Sequence, residues 1–343
     1  FYTRTLPCML WFFDKGKPKE RQDRVLMIDA RSIHRKVTRV INDFSPEQLL
    51  NISSIVWLHR GETDRFLALV RKYLVQVNDT AVALKEPLDR FDETMGRFVD
   101  MLQSFGKTLA DRNGEDAEAI AEYGAAQGEL AGSWKLFQGE CAAAIRAVDA
   151  HAKWIGSAKL ETNKQQHDAH NRFEPVSEHV RSLRKLADTV IKAAANVYDI
   201  ATKKLAATKS DGWKTTEFRN LHKDLVRTPK EDEEENLRIE LFEAFKQPPY
   251  YQRQVHWLQS RFSGGTYFDI GGLCKSADRS SIKERGWSLS PGQYVGVSKV
   301  SEDDPDFDFE ERMIAIHDEL DLLTAEAEEL SATISRNFRE LVQ

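Results

Sequence analysis

Two glycine pairs near a lysine form a pattern that could bind phosphate. Gly264-Gly265 precedes Gly271–Ser276, which reads GGLCKS. The backbone N–H groups of glycine-rich turns can cradle phosphate, and a following lysine adds positive charge. The spacing GxxxxGK[ST] fails, however, because Cys274 stands immediately before the lysine. The sequence therefore predicts an ordinary turn here and not a phosphate loop.

Aromatic and basic side chains are interleaved in Tyr250–Phe262, YYQRQVHWLQSRF. Such a mixture can stack on nucleic-acid bases and hold phosphates. The same residues also fit an amphipathic helix that packs Tyr251, Val255, Leu258 and Phe262 against a core. We favour packing, because these apolar positions follow helical spacing.

Metal and thiol chemistry have little support in the sequence. The three cysteines, Cys8, Cys141 and Cys274, are far apart and form no CxxC pair. The nine histidines form no HExxH or HxH pattern, and His34 and His59 suit surface or helix-end positions. This pattern argues against zinc and against a disulfide framework, and it is typical of a reducing cytoplasm.

Charge is distributed unevenly along the chain. Hydrophobic residues make up 41% of the 343 residues and charged residues 30%, and the mean hydropathy is −0.53. No run of 18 apolar residues occurs, so we expect no transmembrane span. The net charge of −6 combines +6 over residues 1–75 with −11 over residues 301–343. A basic first segment suits a phosphate backbone, although a solvated surface explains it as well. The acidic tail suits solvent or a basic protein partner.

The first thirty residues predict two buried strands. Leu6–Phe13 is a continuous apolar run bounded by the turn-like Asp14–Lys19, and Arg24–Ala30 is a second apolar run. Short runs of this kind are typical of strands covered on both faces. Only ten residues separate the two runs, too few for a helical crossover. We therefore expect an antiparallel pair joined by the basic loop Lys15–Arg24.

Helix-start chemistry follows the strands. Ser45–Gln48, SPEQ, can form a capping box with proline in the first turn. The helix that it opens is predicted to end at Gly61. A second helix is predicted over about residues 64–77, where apolar residues recur at helical spacing.

The middle of the chain is almost wholly helical in pattern. Residues 78–235 predict long antiparallel helices in a bundle or a coiled-coil arm. A short helix, Leu237–Phe245, is expected to end at Pro248-Pro249. Three further prolines mark expected breaks: Pro87, Pro175 and Pro229.

A turn motif and one long helix end the chain. Gly286–Val297, GWSLSPGQYVGV, combines turn residues with a short strand predicted at Tyr294–Val297. A helix is predicted at about 309–341, and its apolar residues repeat by threes and fours as a heptad seam that must bury against other helices. The seam includes Met313, Ile316, Leu320, Leu323, Leu330 and Ile334.

Both ends of the chain resemble one family. Tyr267–Lys275 (YFDIGGLCK) and Gly286–Val297 resemble the C-terminal signature of the modification (M) subunit of type I restriction-modification systems. The two predicted strands, with the Asp29–Arg31 segment that ends the second, resemble the last strands of the methyltransferase domain in the same subunits. The two regions occur in the family's order, which strengthens both matches. The resemblance covers roughly residues 1–75 and 265–343, and the middle is unmatched.

The resemblance implies an activity, a cofactor and partners. The complete subunit would be an N6-adenine DNA methyltransferase that uses S-adenosylmethionine, whose binding motifs would lie upstream of this chain. The two strands would be the antiparallel hairpin that ends a Rossmann-like sheet. Partners would be double-stranded DNA, a specificity subunit, a restriction subunit and a second modification subunit. In this family the C-terminal helices clasp the specificity subunit, and the heptad seam offers a physical basis for that contact.

No catalytic residue is expected within the chain itself. In related adenine methyltransferases an aromatic residue just before the first of these strands stacks on the flipped-out base, which has lost its own stacking. Phe1 occupies that position with Tyr2 beside it, although an ordinary aromatic at a strand entry explains it too. Arg4, Lys15 and Lys17 are the candidates for contact with the DNA backbone.

The chain also departs from the family. The Asn/Asp-Pro-Pro-aromatic loop that accepts the adenine amino group is missing from the sequence. Gln247–Tyr250, QPPY, is superficially similar, but it lies downstream of the last strands, and a turn that ends a helix is favoured. Ser290–Tyr294 stands where Asn-Pro-Gly-Arg-Tyr is expected, and Gly271-Gly272 where Pro-Gly is common. Both changes keep residues that favour turns. The expected arginine is absent, however, and so is any ionic contact that it would make.

The predicted architecture is mainly α. A short β-hairpin at the end of a Rossmann-like methyltransferase sheet is followed by a helical bundle or coiled-coil arm and a long C-terminal helix. The expected divisions are 1–77 for the methyltransferase edge, 78–262 for the helical arm, and 263–343 for the turn motif and the assembly helix. The chain begins at Phe1, without a methionine and without a signal-peptide pattern, so we expect it to be the later part of a longer cytoplasmic protein. Because the cofactor-binding and adenine-binding motifs are missing from it, we expect this part to be inactive by itself.

Two alternatives stay open. A non-enzymatic helical scaffold explains residues 78–343 but not the two strands or the turn signature. A restriction–methylation fusion is the other, although no metal-dependent nuclease pattern occurs in the sequence. A glycine-rich turn and an Asn-Pro-Pro-aromatic loop upstream of Phe1 would favour the enzyme.

Overall fold

A computed structural model describes residues 8–31, 33–36, 41–109, 116–227 and 236–297. The predictions for Phe1, Tyr2, Arg4, Pro229 and the C-terminal helix with its six seam residues lie outside these ranges. The described residues are 72% helical and contain short antiparallel strand pairs, which confirms the predicted fold class.

The elements of the described ranges follow one another from a strand-containing start into a long helical stretch. The strands are β1 Arg24–Ile28, β2 Arg35–Lys36, β3 Asn42–Asp43 and β4 Cys274–Asp278. The helices are α1 Pro46–His59, α2 Thr63–Ala83, α3 Lys85–Leu109, α4 Ala117–Ile155, α5 Asn163–Lys204, α6 Thr216–Leu225, α7 Leu237–Arg261, α8 Arg279–Glu284 and α9 Gly292–Val295.

The start and end of α1 lie where the sequence predicts them. Ser45 Oγ accepts a hydrogen bond from the Gln48 N–H at 3.2 Å, and Gln48 Oε1 accepts one from the Ser45 N–H at 2.9 Å. This capping box satisfies two backbone donors that the helix leaves free. Gly61, with φ +78°, allows the left-handed turn that follows the helix. The second helix, α2, runs beyond the predicted residue 77 to Ala83.

Long helices form one packed core. α4 and α5 contain 39 and 42 residues and pack as an antiparallel pair. At 1.5 Å per residue they span roughly 60 Å each. α2 and α7 form the second extensive pair, and α1, α3 and α6 pack around them. The largest fully buried side chains include Phe66, Phe91, Phe98, Phe137, Phe173 and Phe245.

The predicted proline breaks have different outcomes. The break expected at Pro87 is confirmed, because α2 ends at Ala83 and Pro87 lies in the first turn of α3, but the other predicted breaks within the described residues are wrong. Pro175 lies inside α5, and Pro248-Pro249 lie inside α7, which therefore continues past the predicted end at Phe245. A proline within a helix costs about 3 kcal/mol because a hydrogen bond is lost and the ring clashes. Burial of a large apolar side chain contributes about 1.5–3 kcal/mol, and buried residues lie on both sides of each proline. Packing of the whole helix thus outweighs the local penalty.

The partner of β1 differs from the prediction. β1 pairs antiparallel with β4, in a register that runs from Arg24 opposite Asp278 to Ile28 opposite Cys274. The predicted partner was Leu6–Phe13, but its described part, residues 8–13, is not a strand and is exposed. An apolar run needs neighbouring strands and covering layers to become a buried strand. The described residues form only two-stranded sheets, so they offer this run no such place.

The predicted strand Tyr294–Val297 is also wrong. Gly292–Val295 is instead the short helix α9, and Gly296 follows with φ +72°. The N–H groups of Tyr294 and Val295 donate to the Pro291 carbonyl oxygen at 2.9 and 3.1 Å. The fixed φ of proline suits the first turn of a helix, which explains why a turn of helix forms here.

Candidate functional site

Lys15 and Lys17, the described candidates for DNA contact, lie in the loop that leads into β1. The Gly16 N–H donates to the Asp14 carboxylate at 2.8 Å, which closes a turn around Lys15. Lys17 Nζ donates to the Arg24 carbonyl oxygen at 2.8 Å. Lys17 is thus folded back onto the start of β1, whereas Lys15 is exposed. Lys15 is the more accessible of the two to an anionic partner.

A run of large apolar side chains lies exposed just before this loop. Leu10 is 79% exposed, Phe12 90% and Phe13 86%. Met9 and Trp11 in the same run are exposed as well. Contiguous exposed apolar surface marks a place that another structure covers. The exposed run, residues 9–13, is therefore a candidate contact surface.

The outer face of the β1–β4 pair, which carries Met27 and Ala277, is covered by the C-terminal turn motif. A small separate core forms on this face. Its buried members are Met27, Ala277, Ile282, Tyr294 and Val295. Because four of the five residues come from residues 277–295, this segment is packed directly on β1.

Hydrogen bonds fix the turn motif in this position. The Gly272 N–H donates to the Val295 carbonyl oxygen at 2.7 Å. The Tyr294 hydroxyl donates to the Ser288 carbonyl oxygen. The Arg285 guanidinium lies over the Tyr294 ring, 5.0 Å from its centroid. The tyrosine is thereby held from both its edge and its face.

The strand β4 is tied to the helix that follows it by a carboxylate cap. Asp278 Oδ1 accepts hydrogen bonds from the Ser281 N–H and the Ser280 hydroxyl, both at 2.8 Å. The backbone hydrogen bond from Ser281, followed by the serine hydroxyls, lowers the pKa of Asp278 to about 2. The charged carboxylate therefore caps α8 throughout the physiological pH range.

The inner face of the β1–β4 pair, which carries Leu26, Ile28 and Cys274, faces the helical core. His59, in the last turn of α1, lies with Nε2 3.0 Å from Ser276 Oγ. Its ring meets the Tyr267 ring edge-on, with centroids 5.0 Å apart. Burial is the main cause that lowers the pKa of His59, and nearby basic residues add to it. A neutral imidazole therefore joins α1 to β4.

An ion pair marks the end of β1. The Arg31 guanidinium contacts both oxygens of Asp29, with Nη2 to Oδ2 at 2.6 Å. This contact is the main cause that lowers the pKa of Asp29. The Asp29 N–H donates to the Leu273 carbonyl oxygen at 2.8 Å. A Cβ added at Gly292 would lie 3.4 Å from Arg31 Nη2, so the turn motif also reaches this pair.

The QPPY segment lies in the packed part of α7. The Tyr250 hydroxyl lies 2.7 Å from Glu47 Oε2 and 3.0 Å from Ser45 Oγ. These contacts join α7 to the start of α1. The segment thus links two helices, and the prediction of a turn that ends a helix is wrong.

Two other sequence motifs have structural roles. Val255, Leu258 and Phe262 are fully buried, so the aromatic and basic segment packs as an amphipathic helix, as favoured from the sequence. The glycine-rich stretch leads directly into β4, and Leu273 and Cys274, at this junction, are buried.

Sequence reasoning missed two histidine contacts. His59 and Ser276 are separated by 217 residues, and no local spacing connects them. His170 and His256 face each other across α5 and α7, with ring centroids 6.0 Å apart. Helical spacing could have placed each on a buried face, but not opposite the other.

The described residues hold little that could serve metal, thiol or membrane chemistry. Within them no group of three or more His, Cys, Asp or Glu side chains is arranged to hold a metal ion. Cys8 is exposed, Cys141 and Cys274 are buried, and all three are free. Burial raises the pKa of the Cys141 thiol to about 11. Among the helices described, none has the length and hydropathy that a membrane crossing requires.

The strand β1, its loop and the helices α1 and α2 fall within a recognised family match. Residues 1–94 match the model of the N-6 DNA Methylase family. The match supports a DNA methyltransferase family, which normally uses S-adenosylmethionine and acts on DNA. It ends within α3 and leaves the later helices and the turn motif outside. Searches of curated proteins and of solved structures returned no match.

Proposed function

We propose that this chain is the C-terminal part of the modification subunit of a type I restriction-modification system. The complete subunit transfers a methyl group from S-adenosylmethionine to adenine N6 in a bipartite DNA site. The observation that carries the proposal is the N-6 DNA Methylase match over residues 1–94. The turn motif near the other end of the chain, which resembles the signature of these subunits, supports it.

The exposed run at residues 9–13 fits this proposal. In a complete methyltransferase domain the run is a strand of the central sheet, where its side chains become covered. Fully burying each large apolar side chain contributes about 1.5–3 kcal/mol. Because Leu10, Phe12 and Phe13 are exposed in the described structure, burying them within such a sheet would gain this free energy.

The loop before β1 fits a position near DNA. Phe1 and Tyr2 are proposed to supply the stacking face for the flipped base, and Arg4, Lys15 and Lys17 to contact phosphates. Lysine contacts to phosphate strengthen binding without reading sequence. The exposed side chain of Lys15 is available for such a contact.

A methyl-transfer assay tests the proposed activity. The full subunit, with its specificity subunit, is incubated with duplex DNA and S-adenosylmethionine labelled on the methyl group. Label is expected in N6-methyladenine, and the chain without its upstream part is expected to be inactive. Label in cytosine, or none in DNA, would contradict the proposal.

The partners are proposed to assemble through the C-terminal helix. Met313, Ile316, Leu320, Leu323, Leu330 and Ile334 are proposed to bury against helices of the specificity subunit; the restriction subunit and a second modification subunit complete the cytoplasmic complex. Co-purification of the intact chain, and of a chain cut at Asp304, with the specificity subunit tests this assembly. Binding by the intact chain alone is expected. Equal binding by both chains would place the contact elsewhere.

A non-enzymatic scaffold is the second candidate. The helical content of 72% and the continuous core from α1 to α7 favour it. It accounts less well for β1, whose outer face is covered by a turn motif from the far end of the chain. The methyl-transfer assay separates the two candidates, because a scaffold transfers no label.

A further inference from the structure

The two ends of the described chain fold onto each other. β1 lies near the start of the described residues and β4 near their end, yet they pair residue for residue over their full lengths. Backbone contacts extend beyond the strands, since the Arg279 N–H donates to the Asp23 carbonyl oxygen at 3.1 Å. At the other end, the Asp29 N–H donates to the Leu273 carbonyl oxygen. The strand matched to the methylase family is therefore paired by a segment outside that match.

The start of α2 and the end of α7 lie close together, beside the strand pair. The Thr63 hydroxyl, at the start of α2, donates to the Gly265 carbonyl oxygen at 3.3 Å. Phe66 and Phe262 meet edge-on just beyond, with centroids 6.3 Å apart. α2 and α7 then pack against each other. The helical body, α2–α7, thus begins and ends at neighbouring positions beside the strand pair.

The turn motif seals the face of β1 that the helical body does not cover. The inner face of the strand pair packs on the helices, and the outer face packs on Ile282, Tyr294 and Val295. Without the motif, Met27 and Ala277 would lose most of their covering layer, leaving only Ile282 of α8. Burial on both faces is typical of strands in sheets that are covered by layers on both sides, whereas antiparallel pairs commonly leave one face to solvent.

We infer that residues 267–297 complete the methyltransferase edge that begins with β1, and that helices α2–α7, the first of which lies within the family match, are the helical segment that connects the two parts of this edge. On this view Tyr294 is a positioning residue for methyl transfer, and the motif is not primarily part of subunit assembly. The inference rests on the proposed function for its catalytic consequence. Its structural part, the dependence of β1 on Tyr294, stands by itself.

The physical route from Tyr294 to the reaction runs through β1. Tyr294 lies in the same small buried core as Met27, on the outer face, where α9 contacts β1. β1 is followed by the Asp29–Arg31 pair that the Gly292 turn approaches. Reacting groups must be held within about 0.5 Å of their productive positions, so loss of support under a strand lowers turnover even when binding survives. A motif that served assembly alone would leave turnover in the assembled complex unchanged.

Hydrogen exchange on this chain tests the structural part. Tyr294→Ala is expected to speed exchange of the β1 amides by about tenfold or more, because the covering layer is removed. Tyr294→Phe keeps the ring and is expected to retain protection. Val297→Ala is the matched control, since Val297 is 92% exposed in the same segment. Unchanged β1 protection in Tyr294→Ala would overturn the inference.

Methyl transfer in the full subunit, assembled with its specificity subunit, tests the catalytic part. Tyr294→Ala is expected to lower kcat by about tenfold at saturating DNA, with KM for DNA and co-purification of the specificity subunit retained. Tyr294→Phe is expected to restore kcat. Loss of co-purification with normal kcat in the remaining complex would overturn the positioning role and assign the motif to assembly.

The two assays separate failure of the inference from failure of the proposed function. If the wild-type subunit methylates adenine and Tyr294→Ala does so equally well, the positioning role is wrong. If wild type transfers no methyl group, the proposed function is wrong and the positioning role falls with it. The exchange result then still decides whether β1 and residues 267–297 form one folded unit.

Discussion

At the scale of single residues, solvent accessibility distinguishes side chains of the same type at nearby positions in the sequence. Lys15 and Lys17 are both loop lysines before β1, but Lys17 is held by the Arg24 carbonyl oxygen. A lysine already bonded to the protein gains less from a phosphate than one that is exposed. The loop is therefore proposed to contact DNA chiefly through Lys15.

Lys15→Ala should weaken DNA binding by the full methyltransferase complex. Removing one lysine–phosphate interaction should reduce the slope of log affinity against log salt by roughly 0.9. Fluorescence anisotropy over a salt series measures this slope. Lys135→Ala, an exposed lysine in α4, is the control of equal charge change. Equal slopes for Lys15→Ala and wild type would remove Lys15 from the DNA surface.

Two neighbouring tyrosines in α7 differ in the contacts that their side chains make. The Tyr250 hydroxyl contacts Glu47 and Ser45, whereas Tyr251 contributes its ring to packing beside Tyr73. Tyr250→Phe should lower the free energy of unfolding by about 1–2 kcal/mol, because the variant cannot donate a hydrogen bond to the charged acceptor. Tyr251→Phe should change it less. Urea unfolding of both variants checks this, and a reversed order would contradict the assigned hydrogen bonds.

At the scale of elements, tertiary packing overrides local helix chemistry. Pro175 is exposed within α5, yet Phe173 and Val176 beside it are buried in the core. The helix continues because it is 42 residues long and buries one face along its length. Pro175 therefore still lowers the stability of α5, although the helix as a whole is stable.

Pro175→Ala should therefore stabilise the protein. Alanine restores the missing backbone donor and removes the ring clash, which is worth up to about 3 kcal/mol in a helix interior. Thermal unfolding should show a higher Tm. Asn171→Ala, at another exposed position of α5, is the control for helix propensity alone. A Tm for Pro175→Ala at or below that of wild type would show that the proline is accommodated without strain.

At the scale of the whole molecule, the α5–α7 interface contains titratable groups. Burial lowers the pKa of His170 to about 4, the facing His256 adds to the effect, Glu174 opposes it and His167 contributes slightly. A folded-state pKa below the ordinary 6.5 means that unfolding takes up a proton at low pH. The stability contributed by neutral His170 is full above pH 6.5 and is lost as the pH falls towards 4.

Stability should consequently fall between pH 6.5 and 4. His170 accounts for about 3 kcal/mol of this loss if its whole shift is expressed. His170→Gln should flatten the pH dependence of the urea midpoint. His34→Gln, at an exposed position, should not. The same slope in all three proteins would contradict a buried neutral His170.

The sequence by itself determined the elements whose chemistry is local. The capping box at Ser45–Gln48, the turn at Gly61 and the helical middle follow from side chains a few residues apart. The apolar spacing of Tyr250–Phe262 likewise predicted its packing. The hydrogen bonds of these helices and their caps need no distant partner, and the apolar spacing shows which face is buried but not what it packs against.

Only the tertiary structure decided which distant segments meet. β1 has the apolar character of a buried strand, but its sequence does not specify β4 as its partner, because strand pairing is made between segments and not within them. For the same reason His59 and Ser276, or Tyr294 and Met27, could not be paired from spacing. Pro175 and the QPPY segment were misjudged because burial along a whole helix is a sum over many residues, whereas a proline signal is local.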